Sequence, residues 1–134
     1  MPPPKRNAGA VFALKFHLVW CPKYRRKVLV GDVAERLKVL LADKAAELGA
    51  VVHALEVMPD HVHLFVESDP TFSSSHLANQ FKGFASHALR QEFPQLRSRP
   101  PTLWSRSYFA ASVGYVTDSA VKRYIDTRWE REKS

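Results

Sequence analysis

The sequence predicts an α+β fold, an antiparallel sheet with helices packed on one of its faces. Three observations predict it. Apolar residues recur at period two in several short runs, they recur at helical spacing in longer ones, and the elements follow one another as β-α-β-β-α-β-α.

Residues 11–20 set Phe12, Leu14, Phe16, Leu18 and Trp20 at period two, the mark of a strand with one buried face. A basic turn follows, Pro22-Lys23-Tyr24-Arg25-Arg26-Lys27. From Asp32 to Leu48 the residues Val33, Leu37, Leu40, Leu41, Ala45 and Leu48 form one helical stripe, which Gly49 stops. Residues 51–58 and 61–67 are strands separated only by Pro59-Asp60, so they pair as a hairpin. Ser73, Ser74 or Ser75 caps a second helix that runs to about Phe93, where Pro94 ends it. A Pro- and Arg-rich loop covers 94–101, residues 107–116 read as a fourth strand, and Asp118 caps a last helix that contains Tyr124. Two βα units around a central hairpin match a ferredoxin-like (RRM-like) sandwich, extended by a C-terminal helix that carries the tyrosine.

With 134 residues the chain has the size of one domain able to bury a real core. Residues 1–10, which open Met1-Pro2-Pro3-Pro4-Lys5-Arg6-Asn7, read as a short disordered basic arm, because consecutive prolines resist helix and sheet alike. Residues 11–134 read as the single domain. No apolar run approaches the ~18 residues of a membrane span, and the start lacks the apolar stretch of a secretory signal. Cys21 stands alone and forms no internal disulfide, which suits a reducing cytoplasm. The formal charge of +7 and pI near 9.8 point to a polyanionic partner, since each neutralised phosphate releases counterions. Solubility alone is the plain alternative reading of that charge.

The segment Met58-Pro59-Asp60-His61-Val62-His63-Leu64-Phe65-Val66-Glu67 is the most informative in the chain. Residues two apart on a strand share a face, so His61 and His63 point one way while Val62, Leu64 and Val66 point the other. The apolar set belongs under the helices, which leaves both imidazoles on the open face. Two imidazoles side by side there suit one divalent ion with positions left for substrate. An H-x-H pair alone is a weak signal in a chain with six histidines.

His61-Val62-His63 resembles the His-hydrophobic-His motif of HUH nucleases, and the wider pattern resembles the single-tyrosine HUH transposases of the insertion-sequence 200/605 group. The matching blocks run from His17-Leu18-Val19-Trp20-Cys21-Pro22-Lys23-Tyr24-Arg25-Arg26, through Val57-Met58-Pro59-Asp60-His61-Val62-His63-Leu64 and Leu103-Trp104-Ser105-Arg106-Ser107-Tyr108-Phe109, to Val121-Lys122-Arg123-Tyr124-Ile125. They stand in the family's order over nearly the whole chain after the arm. The resemblance implies an enzyme that cuts and rejoins single-stranded DNA at mobile-element ends, through a 5′-phosphotyrosine link and a free 3′-hydroxyl. It implies folded hairpins as the feature recognised, and a homodimer in which the tyrosine helix of one subunit completes the histidine site of the other. A divalent metal, Mg2+ or Mn2+, is implied at His61 and His63; imidazole ligands favour manganese. A cytoplasmic, nucleoid-associated protein is the matching location.

Among the four tyrosines, Tyr124 matches the family's nucleophile. Tyr24 lies in the basic turn, where it stacks or contacts phosphate, and Tyr108 and Tyr115 fall on the expected fourth strand as packing. Without the resemblance, a helical tyrosine reads first as a core or interface residue. The phenol has a reference pKa near 10 and needs assistance at neutral pH.

One position departs from the family's pattern. A third metal ligand, commonly a glutamine, usually lies one turn past the tyrosine, and that position here is Arg128, a donor that cannot ligate a cation. A ligand from Asp126 or Asp60, from water or from DNA phosphate, a phosphate-holding role for Arg128, and a weakened metal site all stay open. Lys23, Tyr24, Arg25, Arg26 and Lys27 combine cations with an aromatic ring, which suits single strands. Lys82, Arg90, Arg97, Arg99 and Arg106 are further phosphate candidates, with ordinary surface charge as the other reading. Two other functions fit the same residues: a non-catalytic, domesticated binder of single-stranded DNA or RNA hairpins, and a metal-dependent hydrolase that uses water.

Overall fold

A strand of seven residues, β1 (Leu14–Trp20), lies at the centre of the sheet because both of its edges are occupied. The computed structural model describes residues 6, 7, 10, 11, 13–97, 102–113 and 124–127. After β1 come α1 (Gly31–Leu48), β2 (Val51–Met58), β3 (His61–Ser68), α2 (Ser74–Glu92) and β4 (Phe109–Ser112). The four strands form one antiparallel sheet in the order β2-β3-β1-β4. This is the α+β sandwich that the alternation of periods predicts. Ahead of β1, Arg6–Asn7 pairs with Ala10–Val11 in a two-residue ladder that joins the stretch read as an arm to the first residue of the domain; residues 1–5, 8 and 9 of that stretch lie outside the described residues.

Period-two patterning sets the two faces. Leu18, Trp20, Val62, Leu64 and Val66 are fully buried and pack against Val33, Leu37, Leu41, Leu77, Phe81, Ala85 and Leu89 of the two helices. Each large apolar side chain withdrawn from water contributes roughly 1.5–3 kcal/mol, so this layer holds the sheet and helices together. The helix ends follow the sequence signals. Gly49 closes α1 with φ 68°, a left-handed conformation that glycine adopts without a Cβ clash, and its N–H reaches the carbonyls of Ala45 and Ala46. Ser73 caps α2, its side chain accepting from His76 N at 3.1 Å.

The hairpin turn at Pro59-Asp60 is as short as expected, with Met58 opposite His61. Leu29 N donates to Pro59 O at 3.0 Å and ties this turn to the segment that enters α1. Of the fourth strand expected at 107–116, the described residues form strand at Phe109–Ser112, and residues 114–116 lie outside the described residues. Among the described residues Phe109–Ser112 find ladder partners on β1, while Tyr108 packs into the main core just before the strand begins. β1 also begins later than residue 11, at Leu14. Pro94–Leu96 forms a 3-10 turn within the loop expected at 94–101. Tyr115, Asp118, Arg99 and Arg128 lie outside the described residues; residues 124–127 are helical.

Candidate functional site

The ladder register builds the open face of the sheet row by row. One row carries Glu56, His63, Val19 and Phe109 across β2, β3, β1 and β4, and the next carries Ala54, Phe65, His17 and Ala111. His61 stands beyond the first row, opposite Met58. Both His61 and His63 are half-buried on this face, as the alternation with Val62 and Leu64 dictates.

Each histidine has a partner that sequence periodicity did not reveal. Asp60 Oδ1 lies 2.9 Å from His61 Nδ1. His17 Nδ1 lies 2.9 Å from His63 Nε2, and the His17 ring stacks on Phe65 with 4.4 Å between centroids. Burial holds the His17 imidazole below the usual histidine range, which favours its neutral form. Between the two rings one N–H donates and one nitrogen accepts, and the tautomer decides which. Farther along the face a bulge between Val52 and Ala54 accompanies the contact of His53 with Glu67, 2.7 Å from Nε2 to Oε1, and Lys15 lies at 4.0 Å from the same oxygen.

The basic turn is a strained 3-10 turn, Lys23–Arg25, in which Tyr24 and Arg25 have φ of 60° and 52°. Its cations are not equivalent. Arg25 Nε reaches Asp60 Oδ2 at 2.9 Å and its Nη1 reaches Asp126 Oδ1 at 2.9 Å. Grouped with its neighbours as a phosphate contact on sequence, Arg25 in fact stands between two carboxylates. Lys23 Nζ lies 5.6 Å from the centroid of the Tyr24 ring, and both Tyr24 and Lys27 are exposed. Arg26 is half-buried. Asp60 and Asp126, named as replacement metal ligands, are both turned to Arg25.

Tyr124 lies on the same open face. Val19, Cys21 and Ile125 are buried together there, with Phe109 and Tyr124 packed against them, and the rings of Phe109 and Tyr124 are 5.9 Å apart. Phe109 and Val19 share the row of His63. With strands about 4.8 Å apart, the tyrosine turn covers the β1–β4 side of the face and the histidines the β3 side. Val19 and Cys21 are the residues that could have signalled this cover, being apolar positions on a face otherwise read as polar.

Two imidazoles fit a divalent first-row ion as part of its ligand set. Asp60 Oδ1 at His61 Nδ1 is the kind of contact by which a carboxylate orients a ligating imidazole, whereas His63 Nε2 meets His17 Nδ1 at 2.9 Å. Among the described residues no group of three or more His, Cys, Asp or Glu side chains converges on one point, so the described protein offers two ligands and not a closed cage.

Lys82 corrects the sequence reading. It is buried, not surface charge: its Nζ donates to the carbonyls of Ser105, Arg106 and Ser107 at 2.8, 3.3 and 3.1 Å. Arg90 and Arg97 each donate to main-chain carbonyls around the C-terminus of α2, and Arg106 is exposed.

A family model described as "Transposase IS200 like" matches residues 10–128. The chain belongs to the IS200-like transposase family. The ISDra2 transposase TnpA of Deinococcus radiodurans is 38% identical over 130 residues, 96% of this chain and 93% of that protein. The transposase for insertion sequence element IS200 of Salmonella typhimurium is 29% identical over 121 residues, 89% and 79% of the two chains. A crystal structure of a candidate transposase from Deinococcus radiodurans superposes with a TM-score of 0.86 at 36% identity, covering 92% of this chain and 97% of the other. A REP-associated tyrosine transposase, solved bound to a REP hairpin, shares the fold with a TM-score of 0.59 at 14% identity, covering 94% and 69%. The family assignment agrees with the resemblance carried by the four sequence blocks. Among the described residues no helix is long and apolar enough to cross a membrane.

Proposed function

We propose that this member of the family cuts and rejoins single-stranded DNA at the ends of a mobile element, with Tyr124 as nucleophile and His61 and His63 as ligands of a divalent metal. The observation that carries the reading is the shared open face, where the tyrosine turn packs on Val19 and Phe109 in the row that contains His63. The Tyr124 oxygen bonds to the scissile phosphorus as the bond from phosphorus to the 3′-oxygen breaks. The phenol proton passes to solvent or a nearby base, and the departing oxygen takes up a proton as a 3′-hydroxyl. The 5′-phosphotyrosine conserves the diester, so a second 3′-hydroxyl reverses the step without a nucleotide cofactor. When bound, Mg2+ or Mn2+ polarises the phosphate and absorbs developing charge.

Lys23, Tyr24, Arg26 and Lys27 supply cations and a stacking ring for the strand, while Arg25 organises the site through Asp60 and Asp126. Hairpin ends are the proposed recognition feature, in keeping with the hairpin bound by the structural neighbour of the same fold. A homodimer completes the proposal, with Tyr124 on the histidine face of its own chain in the described arrangement and exchange of the tyrosine turn between subunits as the shared-site form.

The test is a trapping assay with purified protein, Mn2+ and labelled single-stranded DNA from the flank of its gene, resolved on a denaturing gel. A covalent adduct that disappears in Tyr124→Phe and in His61→Ala is expected. An adduct that survives Tyr124→Phe, or cleavage without adduct, overturns the assignment. Arg128 at the position of the usual third ligand favours one second reading, a protein that binds the hairpin and no longer cuts it; binding without any adduct is its signature.

A further inference from the structure

A lysine inside a protein core is costly unless its charge is matched, because an ammonium loses its hydration on burial. Lys82 is 8% exposed. Its ammonium has three donors, and the structure gives them three consecutive carbonyls, those of Ser105, Arg106 and Ser107, at 2.8–3.3 Å. Successive carbonyls converge on one point only if the chain curls around it, so this cation dictates the path of 105–107.

Other bonds fix the chain where it enters this segment. Trp104 Nε1 donates to the Lys82 carbonyl at 2.9 Å, Ser105 N donates to Cys21 O at 2.9 Å, and Lys23 N donates to Leu103 O at 2.9 Å. The clamped segment ends at Ser107, whose Oγ lies 3.2 Å from the hydroxyl of Tyr124. The ring of Tyr124 thus leans on Phe109, and its hydroxyl meets a serine whose backbone is fixed by a buried cation.

We propose that Lys82 and Ser107 are positioning residues, forming a dock that holds the Tyr124 hydroxyl on the open face of the sheet. Lys82 acts through the backbone of 105–107, and Ser107 acts by direct hydrogen bond. Neither is expected to touch the DNA phosphorus. The functional weight of the dock rests on the reading of Tyr124 as nucleophile; its existence does not. A nucleophile displaced from its attack geometry by about an ångström loses on the order of 100-fold in rate, which is the scale on which such a dock acts.

The test has two readouts. The full-length protein is labelled with 3-fluorotyrosine, and the 19F resonance of Tyr124 is assigned by its loss in Tyr124→Phe. Ser107→Ala is expected to move that resonance toward the free amino acid while the other three tyrosine resonances stay in place. Lys82→Met is expected to do the same, and Ser107→Thr, which keeps the hydroxyl, to restore it. Single-turnover adduct formation is expected to slow by between about 10- and 100-fold in Ser107→Ala, with the Kd for single-stranded DNA unchanged. An unmoved resonance in Ser107→Ala overturns the dock, and an unchanged adduct rate overturns its role in positioning. Ser107 is half-buried and its truncation small, so this arm decides even where Lys82→Met fails to fold. A shifted resonance together with an adduct that survives Tyr124→Phe leaves the dock standing and removes the nucleophile reading instead.

Discussion

Asp60 bridges His61 and Arg25, one carboxylate oxygen 2.9 Å from His61 Nδ1 and the other 2.9 Å from Arg25 Nε. A carboxylate only accepts, so the contact favours a proton on Nδ1 and, on the metal reading proposed above, Nε2 is the nitrogen that would ligate. Loss of such an orienting partner typically weakens metal affinity by about 10- to 100-fold. Asp60→Asn is therefore expected to weaken Mn2+ binding within that range, and Asp60→Ala by more, in a calorimetric or EPR titration of the DNA-free protein. Unchanged affinity in both variants would mean that the carboxylate does not orient a ligand.

Arg25 continues the chain of contacts to Asp126, so one guanidinium joins the basic turn, the β2–β3 turn and the tyrosine turn. The Asp126 side is more than half exposed, and ion pairs of that kind contribute little to global stability. The consequence of Arg25→Gln is local. Hydrogen exchange at residues 124–127 is expected to accelerate while the midpoint of global unfolding moves only slightly. Exchange at the wild-type rate would show that the contacts of Tyr124 and Ile125 hold the turn without the ion pair.

The long periodic elements were legible because their burial is local and repeated. The α1 stripe, the β2–β3 hairpin and the capping by Ser73 each rest on residues within a few positions of one another. Cross-strand chemistry was not legible in this way. His17 meets His63 only because β1 pairs with β3 in a particular register, which the local pattern of neither strand encodes. From sequence Lys82 reads as a phosphate contact or ordinary surface charge, because lysines seldom lie buried. Its place in the stripe Ala78, Lys82, Ala85, Leu89 is the signal that could have found it. For β4, aromatic content suggested a strand beginning before Phe109. Tyr108 serves the core beside that strand, so propensity and ladder disagree by a few residues.

The division of β3 into two faces yields a contrast in stability. Leu64 is fully buried between the helices and the sheet, whereas His61 and His63 are half-buried on the other face. Leu64→Ala is expected to cost about 2–5 kcal/mol, read as a lowered midpoint in chemical denaturation. His61→Ala and His63→Ala are expected to leave the midpoint near that of the wild type. Destabilisation of similar size in all three would contradict the assignment of the faces.

Tyr24 combines exposure with strain, and the combination separates stability from binding. Its φ of 60° is left-handed, followed by Arg25 at 52°, and a residue with a side chain spends roughly 1–2 kcal/mol to remain there. The ring is 41% exposed and returns little packing energy to the fold. Strained backbone of this kind concentrates where a ligand is met, and the ring lies 5.6 Å from Lys23 Nζ in a segment that also carries Arg26 and Lys27. In Tyr24→Gly the strain disappears along with the stacking surface, partly offset by the greater freedom of glycine in the unfolded chain. The expected outcome is a melting temperature equal to or above the wild type, with single-stranded DNA bound more weakly by the ~1–3 kcal/mol that one stacked base contributes. Thermal melting and fluorescence anisotropy with a labelled oligonucleotide measure the two halves. A lowered melting temperature would show that the ring supports the fold, and unchanged affinity would remove Tyr24 from the DNA-binding surface.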